Sequence, residues 1–436
     1  MRWLLYLLVA PVSSLLVLAG VEGARPSLSL APVINLPFTK PVVEPQYQSL
    51  QDLYDMRDRL ETQVRLNPPT LIASNVGVFS VPTKELQELQ TTEIRIQIEE
   101  NAKRSWDQAI NFANEATQLS TQPNPSTETL GKLAALWRQS IQSLQAIPND
   151  TLMTQMAASK LVEYQANSKA ASYKYDTARS GFLEAIAERT GLPTTDVFIT
   201  VCTLEGECRR WQGNVEPASP ASLIKVPIAI AFMQKVTSEN INLDTKITVN
   251  PGNYTEDASD IWAGSEYPLR KLLMRMINQS SNIATNQLID FVGREYINRT
   301  LRDRGFTVTF VDYKLVGDSV YPANAGSIPN RFTTDELTEM MRQIYKEEHP
   351  GDNILIEALA SQYDTVLGYD GLRNSKAIWM GEKTGQNSQM LGTTLAFTIN
   401  GKYYIATIAL NYSANESAIR QCVNDIAKYI ERQGHL

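Results

Sequence analysis

The stretch LGTTLAFTINGKYYIATIALNY, residues 391–412, consists of two strand-like runs of alternating character. They meet at Asn400-Gly401, a dipeptide suited to the tight turn of a β-hairpin. After it, SAIRQCVNDIAKYIERQ (417–433) carries apolar residues at helical spacing and reads as an amphipathic helix. Far upstream, VFITVC (197–202) and CRRWQG (208–213) read as two more strands, preceded by a helix-like stretch, FLEAIAERTGL (182–192). Long helical stretches lie between the two strand pairs, up to about His349. Strands at both ends with helices between them predict one antiparallel sheet, closed by the two termini of this region, with a helical layer inserted. The expected fold of residues 175–436 is therefore α+β.

The chain has 436 residues, 43% of them apolar and 20% charged, which suggests more than one folded region. A formal net charge of −7 gives no electrostatic reason to expect nucleic acid. Residues 1–24, opening MRWLLYLLVAPVSSLLVLAG, have the layout of a secretory signal with cleavage near Gly23, or of a retained membrane anchor. Either way the rest of the protein is expected in the periplasm or at the outer face of the cytoplasmic membrane, touching a membrane only through this segment if it is uncleaved. Residues 25–47 carry Pro26, Pro32, Pro37, Pro41 and Pro45 and read as an extended linker.

From 48 to 174 the pattern is that of an all-α region. Leu50, Leu53, Leu60 and Val64 keep one face apolar, and Leu130, Leu133, Trp137, Ile141 and Leu144 another. Trp106-Asp-Gln-Ala-Ile110 recurs as Trp137-Arg-Gln-Ser-Ile141, which suggests repeated helical hairpins or, equally, an ordinary bundle. Nothing there looks catalytic, so a protein or cell-wall partner, or a spacing role, is the most it supports.

Cys202 and Cys208 bracket the loop between two expected strands, where a hairpin would bring their sulfurs together, and an oxidising compartment would join them. Cys422 is left over and is expected to be buried in the last helix. There is no Cys/His cluster, so no metal is expected, and no cofactor is implied.

The chemistry begins at Ser222-Leu-Ile-Lys225, where the loop NVEPASPA gives way to the apolar helix VPIAIAFMQKV. The serine lies at the helix N-terminus, with the lysine one turn further along the same face, within reach of its hydroxyl. The only two histidines, His349 and His435, lie in a polar turn and at the penultimate position, so a serine enzyme here needs lysine as its base. Further on, LRKLLMRMINQSSNIATNQLID (269–290) holds Ser280-Ser281-Asn282, with Asn286 four residues beyond. GEKTGQNSQMLGTTLAF (381–397) holds Lys383-Thr384-Gly385 leading into a strand.

Ser-x-x-Lys, Ser-x-Asn and Lys-Thr-Gly, in this order and at these separations, make residues from about 175 to 436 resemble a class A β-lactamase or a relative among the serine D,D-peptidases. The resemblance implies an α+β fold of an antiparallel sheet flanked by helices. It implies that Ser222 attacks and becomes acylated, that Lys225 takes its proton, and that Ser280 passes the proton to the leaving nitrogen. Asn282 would hold the substrate's side-chain amide. Lys383 and Thr384 would bind its carboxylate, and Lys383 would lower the pKa of Lys225. The backbone N–H groups of Ser222 and Gln386 would form an oxyanion hole, and Gly385 would let substrate approach the strand edge. The implied substrates are β-lactams or D-Ala-D-Ala-type acyl compounds.

Two positions depart from the family's pattern. Ser281 stands where an acid is usual in the second motif. Aligning VTFVDYKLVGDS (308–319) with the family's catalytic loop puts Leu315 at the position of the glutamate that activates the deacylating water, with Ser319 at the asparagine beyond it. Asp312 matches a structural acid of that loop, and Asp318 is the candidate substitute base. The leading expectation is an exported serine hydrolase that opens β-lactams through an acyl-enzyme on Ser222 and deacylates slowly. A penicillin-binding D,D-peptidase or esterase of the cell envelope is the alternative, and a non-catalytic envelope-binding protein the third.

Overall fold

A computed structural model describes residues 47–68, 70–74, 77–317 and 319–436. The expected signal or anchor lies outside the described residues, and so does all of the expected linker except Tyr47. Among the described residues no helix is long and apolar enough to cross a membrane.

The first part of the chain is helical. Helices α1 (Leu50–Leu66), α2 (Lys84–Ser120), α3 (Thr127–Gln145) and α4 (Thr154–Ala178) pack in chain order, each on the next. Ser49, Thr83 and Ser126 cap the first three by accepting a backbone N–H in the first turn. The all-α expectation needs one correction: a small antiparallel hairpin, β1 (Thr70–Ser74) and β2 (Gly77–Val81), joins α1 to α2. Its signal was in the sequence, where the β-branched residues of TLIAS and GVFSV flank Asn75. The echoed stretches lie on two helices of unequal length, α2 with 37 residues and α3 with 19. Of the echoed tryptophans, which lie on neighbouring helices, Trp137 is buried in the core and packs on Tyr164 with ring centroids 5.2 Å apart, while Trp106 is half-buried against it. The expected boundary at 174–175 falls inside α4, whose last turns dock on the following domain. There Asp176 Oδ2 accepts from Arg210 Nη1 at 3.0 Å, and the Arg210 guanidinium lies over the Tyr173 ring.

A short helix, α5 (Gly181–Glu188), leads into β3 (Val197–Thr203) and β4 (Cys208–Trp211). They join β7 (Ile378–Gln386), β8 (Met390–Ile399) and β9 (Lys402–Asn411) in one antiparallel sheet of order β4-β3-β9-β8-β7. The two ends of the region thus meet in the middle of the sheet, as expected, because β3 pairs with β9 from Val197↔Leu410 to Thr203↔Tyr404. The β8–β9 turn uses Asn400 and Gly401, both at positive φ, the backbone this tight hairpin requires. Cys202 and Cys208 face each other across the β3–β4 hairpin and form a disulfide. Cys422 is buried and free.

The alternation along β8 and β9 does not separate core from solvent, since every residue of β8 is buried. Leu391, Leu395, Phe397 and Ile399 face a layer made by α5, α12 (Gly368–Leu372) and α13 (Glu416–Gln433). Met390 and Ala396 face the larger helical layer. That layer contains α6 (Lys225–Ser238), α7 (Leu269–Asn278), α8 (Asn282–Val292), α9 (Arg294–Asp303), α10 (Thr334–Tyr345) and α11 (Asp352–Ala360), with a small hairpin of β5 (Lys246–Thr248) and β6 (Glu266–Pro268) at its rim. Residues 308–319, aligned above with a loop, belong to a longer one: the described residues of 306–333 form neither helix nor strand and are joined by a bridge between Phe310 and Arg331. Ten of the fourteen residues of α6 are buried, which places the residue that begins it, Lys225, deep between sheet and helices.

Phe232, fully buried on α6 and tilted against Phe291 at 5.9 Å, holds this helix in the layer. Phe232→Ala is expected to lower the unfolding free energy by about 3–5 kcal/mol, read from urea denaturation.

Candidate active site

Ser222 lies in a 3-10 turn, Ala221–Ile224, that runs directly into α6. In a 3-10 turn residues three apart eclipse one another, so Ser222 and Lys225 stand side by side. Lys225 Nζ is 2.9 Å from Ser222 Oγ. Ala221, just before the serine, has φ +42°, a strained conformation for a residue with a Cβ, costing on the order of 1–3 kcal/mol. Ser280, between α7 and α8, is also left-handed at φ +56°. Its Oγ lies 3.0 Å from Lys225 Nζ and its carbonyl oxygen accepts from the same nitrogen. Asn282 opens α8, and its Oδ1 accepts from Lys225 Nζ at 2.8 Å.

The number of partners bears on the charge of that nitrogen. A neutral amine has two N–H donors and one lone pair. The donors suit the two carbonyl oxygens, Ser280 O and Asn282 Oδ1, which leaves the lone pair for a serine O–H. Electrostatics point the same way. Burial pushes the Lys225 amine well below lysine's usual pKa, the charge of Lys383 lowers it further, and Asp257 opposes them. Lys383, on β7, is fully buried as well, and burial brings it down to about 7 against the pull of Asp364 and Glu382.

β7 is the sheet's edge strand, and its end forms the other wall. Asn387 N–H donates back to Met390 O at 2.9 Å, so by strand alternation the Gln386 N–H faces the free edge, where Ser222 lies. Gly385 has a packing role of its own. A Cβ there would sit 2.9 Å from Leu223 N and 3.1 Å from Ser222 N, so this glycine lets the nucleophile's own turn pack against the strand. Thr384 Oγ1 donates to Asp364 Oδ2 at 2.8 Å, a carboxylate that sequence reading did not single out. Lys383 Nζ donates to Thr384 O at 2.7 Å.

Ser222 opens onto two cavities. One, of about 680 Å³, has Asn282, Leu315, Glu256 and Gln386 in its wall. The other, of about 400 Å³, has Ser280, Asp364, Thr384 and Gly385. Leu315 is held by its backbone: Asn286 Oδ1 accepts from Leu315 N at 2.7 Å and Asn286 Nδ2 donates to Leu315 O at 2.9 Å. That two-sided clamp puts Leu315 at the point where the 306–333 loop meets the site. Asp312 lies away from the reaction centre and holds the loop, accepting from Ser327 N and Ile328 N at 2.7 and 2.8 Å. Asp318 lies outside the described residues. Nothing in the sequence pointed to Asp257 or Glu256, which come from a segment with no motif. Glu256 accepts from Ser319 N at 3.0 Å and Val320 N at 3.2 Å.

The sequence profile described as "Beta-lactamase enzyme family" matches residues 198–433. Among solved structures the fold is similar to that of PBP-A, at 22% identity and a TM-score of 0.50, over 57% of this chain and 95% of that one. It is similar to the same degree to a leucine-to-glutamate mutant of PBP-A in an acyl-enzyme complex with penicillin G, at 22% identity and a TM-score of 0.50, over 57% of this chain and 96% of that one. It is also similar to TLA-3 extended-spectrum beta-lactamase, at 16% identity and a TM-score of 0.50, over 58% of this chain and 99% of that one. At such identities these structures speak for the fold alone. No curated protein matches the chain.

Two outcomes follow from the buried lysines. Arginine cannot shed its proton, so Lys225→Arg is expected to slow acylation of Ser222 by about 10²–10⁴-fold, measured by stopped-flow with a fluorescent penicillin. For Lys383, the folded value near 7 lies below the unfolded value near 10.5. Between those limits the unfolded chain holds a proton that the folded one lacks, so stability rises with pH. The gain from Lys383→Met is therefore expected to be largest at or below pH 7 and to shrink towards pH 9.5, compared by urea midpoints.

Proposed function

The chain belongs to the beta-lactamase enzyme family and is a serine hydrolase; on that premise we propose that it is exported and opens β-lactams through a slowly hydrolysed acyl-enzyme on Ser222. The observation that carries this reading is the contact of Ser222 Oγ with a buried lysine nitrogen whose other partners are Ser280 and Asn282.

In the proposed sequence the Ser222 oxygen attacks the lactam carbonyl while its proton passes to Lys225 Nζ. The N–H groups of Ser222 and Gln386 receive the oxyanion. As the lactam C–N bond breaks, Ser280 gives its proton to the nitrogen and regains one from Lys225, which is again neutral. An ester on Ser222 remains.

Hydrolysis of that ester needs a water and a base. At Leu315, where the loop enters the cavity, the side chain has no proton acceptor, which supports slow release. Export is supported by the N-terminal segment and by the Cys202–Cys208 pair. Leu315 also favours a second reading, a cell-envelope D,D-peptidase or esterase, since such an enzyme can pass its acyl group on to an amine. In addition, the Asp364 carboxylate on Thr384 must yield before that hydroxyl can hold a substrate carboxylate. A purely binding role is disfavoured, because it would not require Ser222, Lys225, Ser280 and Lys383 to converge.

The test is intact mass against time after mixing with benzylpenicillin. An adduct of one penicillin that persists for minutes or longer, absent in Ser222→Ala, is expected. Leu315→Glu is expected to shorten its lifetime at least about tenfold by supplying a base. Rapid turnover by the unaltered protein would refute slow release, and no adduct with any acyl substrate would refute the enzyme.

A further inference from the structure

The second motif carries no acid of its own, yet a carboxylate sits on its turn. Asp257 comes from the loop before β6 and enters from outside the motif. Its Oδ2 accepts the Ser281 hydroxyl and, at 2.9 Å, the Ile283 N–H at the start of α8. Ser281 is fully buried, and its hydroxyl oxygen also accepts from Ala284 N at 3.1 Å, as the helix cap, and from Ser259 Oγ at 2.9 Å. Asp257 Oδ1 in turn accepts from Ser259 N at 3.0 Å. The negative charge thus lies at a helix N-terminus, where unpaired N–H groups and the helix dipole favour it.

The residues on either side of Ser281 both touch Lys225, which Ser222 touches as well. Ser280 is held at positive φ, and Asn282 is the first residue of α8. Anything that fixes Ser281 and the first turn of α8 therefore fixes the two partners that this motif gives the amine. The same loop segment also grips the 306–333 loop. Thr255 Oγ1 donates to Val320 O at 3.0 Å, and Glu256 accepts the two N–H groups of Ser319 and Val320.

We propose that Asp257 is a positioning residue for acylation, supplying from a separate loop the carboxylate that holds the Ser280-Ser281-Asn282 turn against Lys225. The assignment rests on the acyl-serine reading above, and its test is chosen so that the two can fail separately.

Two variants decide it. Asp257→Asn keeps the size and removes the charge. The exchange Asp257→Ser with Ser281→Asp moves the carboxylate onto the helix cap itself, where an aspartate can accept the same N–H groups. Acylation by fluorescent penicillin is measured across pH, and hydrogen exchange is followed over residues 279–286, which needs no substrate. Lys225 is faced by the charges of Lys383 from β7 and Asp257 from this loop, so removing the second shifts the rising limb of acylation to lower pH. Asp257→Asn is expected to acylate on the order of 10–100-fold more slowly at saturating pH, with faster exchange at 279–286, and the exchange of residues to recover both. Unchanged acylation and protection in Asp257→Asn would overturn the assignment. A loss with an unmoved pH limb and no recovery in the exchanged variant would also overturn it, making Asp257 a folding residue only. If the unaltered protein takes up no penicillin, the reading of function fails, and hydrogen exchange still decides for or against Asp257.

Discussion

A lysine amine with no exposure to water is the constraint on which the rest of this domain depends. Taking an ammonium out of water is costly unless it is paired, and the protein resolves this by keeping the Lys225 nitrogen able to shed its proton. The burial that achieves this requires α6 to lie between the sheet and the other helices. It also requires Lys383 to be buried on the facing strand. The large core of this layer is thus the physical source of the neutral amine that the proposed reaction uses, and the strained backbones of Ala221 and Ser280 are tolerated because that core holds them.

Around the amine, the structure separates attack from release. The groups for attack lie on regular elements: the 3-10 turn before α6, the α7–α8 junction and the edge strand β7. The groups around release lie on the long 306–333 loop, fastened through backbone atoms by Asn286, Glu256 and Asp312. Such a clamp sets where residue 315 stands without regard to its side chain. The same scaffold can therefore present a base or a leucine at that point, and in the proposed reaction the identity of that one residue governs the fate of the acyl group.

Much of this was legible in advance, for local reasons. The paired strands at 391–412, the turn at Asn400-Gly401 and the helix after them rest on period and turn chemistry, which a sequence carries openly. Ser222 and Lys225 were legible because three residues span one turn. The burial of both faces of β8 was less so, since alternation shows that a strand has two faces but not what covers each. The strands Thr70–Ser74 and Gly77–Val81 carry a propensity signal too short to stand out from the helical pattern around them.

By itself the sequence determined the antiparallel sheet formed by both ends of the domain, the serine and its lysine, and the absence of an acid at 281 and 315. These are properties of residue type and of short separations. Only the tertiary structure decided how those absences are met. Asp257 restores a carboxylate to the second motif from a loop 24 residues away along the chain, whereas the Asn286 clamp presents at position 315 a leucine, whose side chain accepts no proton. It also decided that Gly385 serves the packing of the nucleophile's turn. The reason is physical: a hydrogen bond or a close contact depends on distance in space, and residues from unrelated segments come within that distance only when the core brings their elements together.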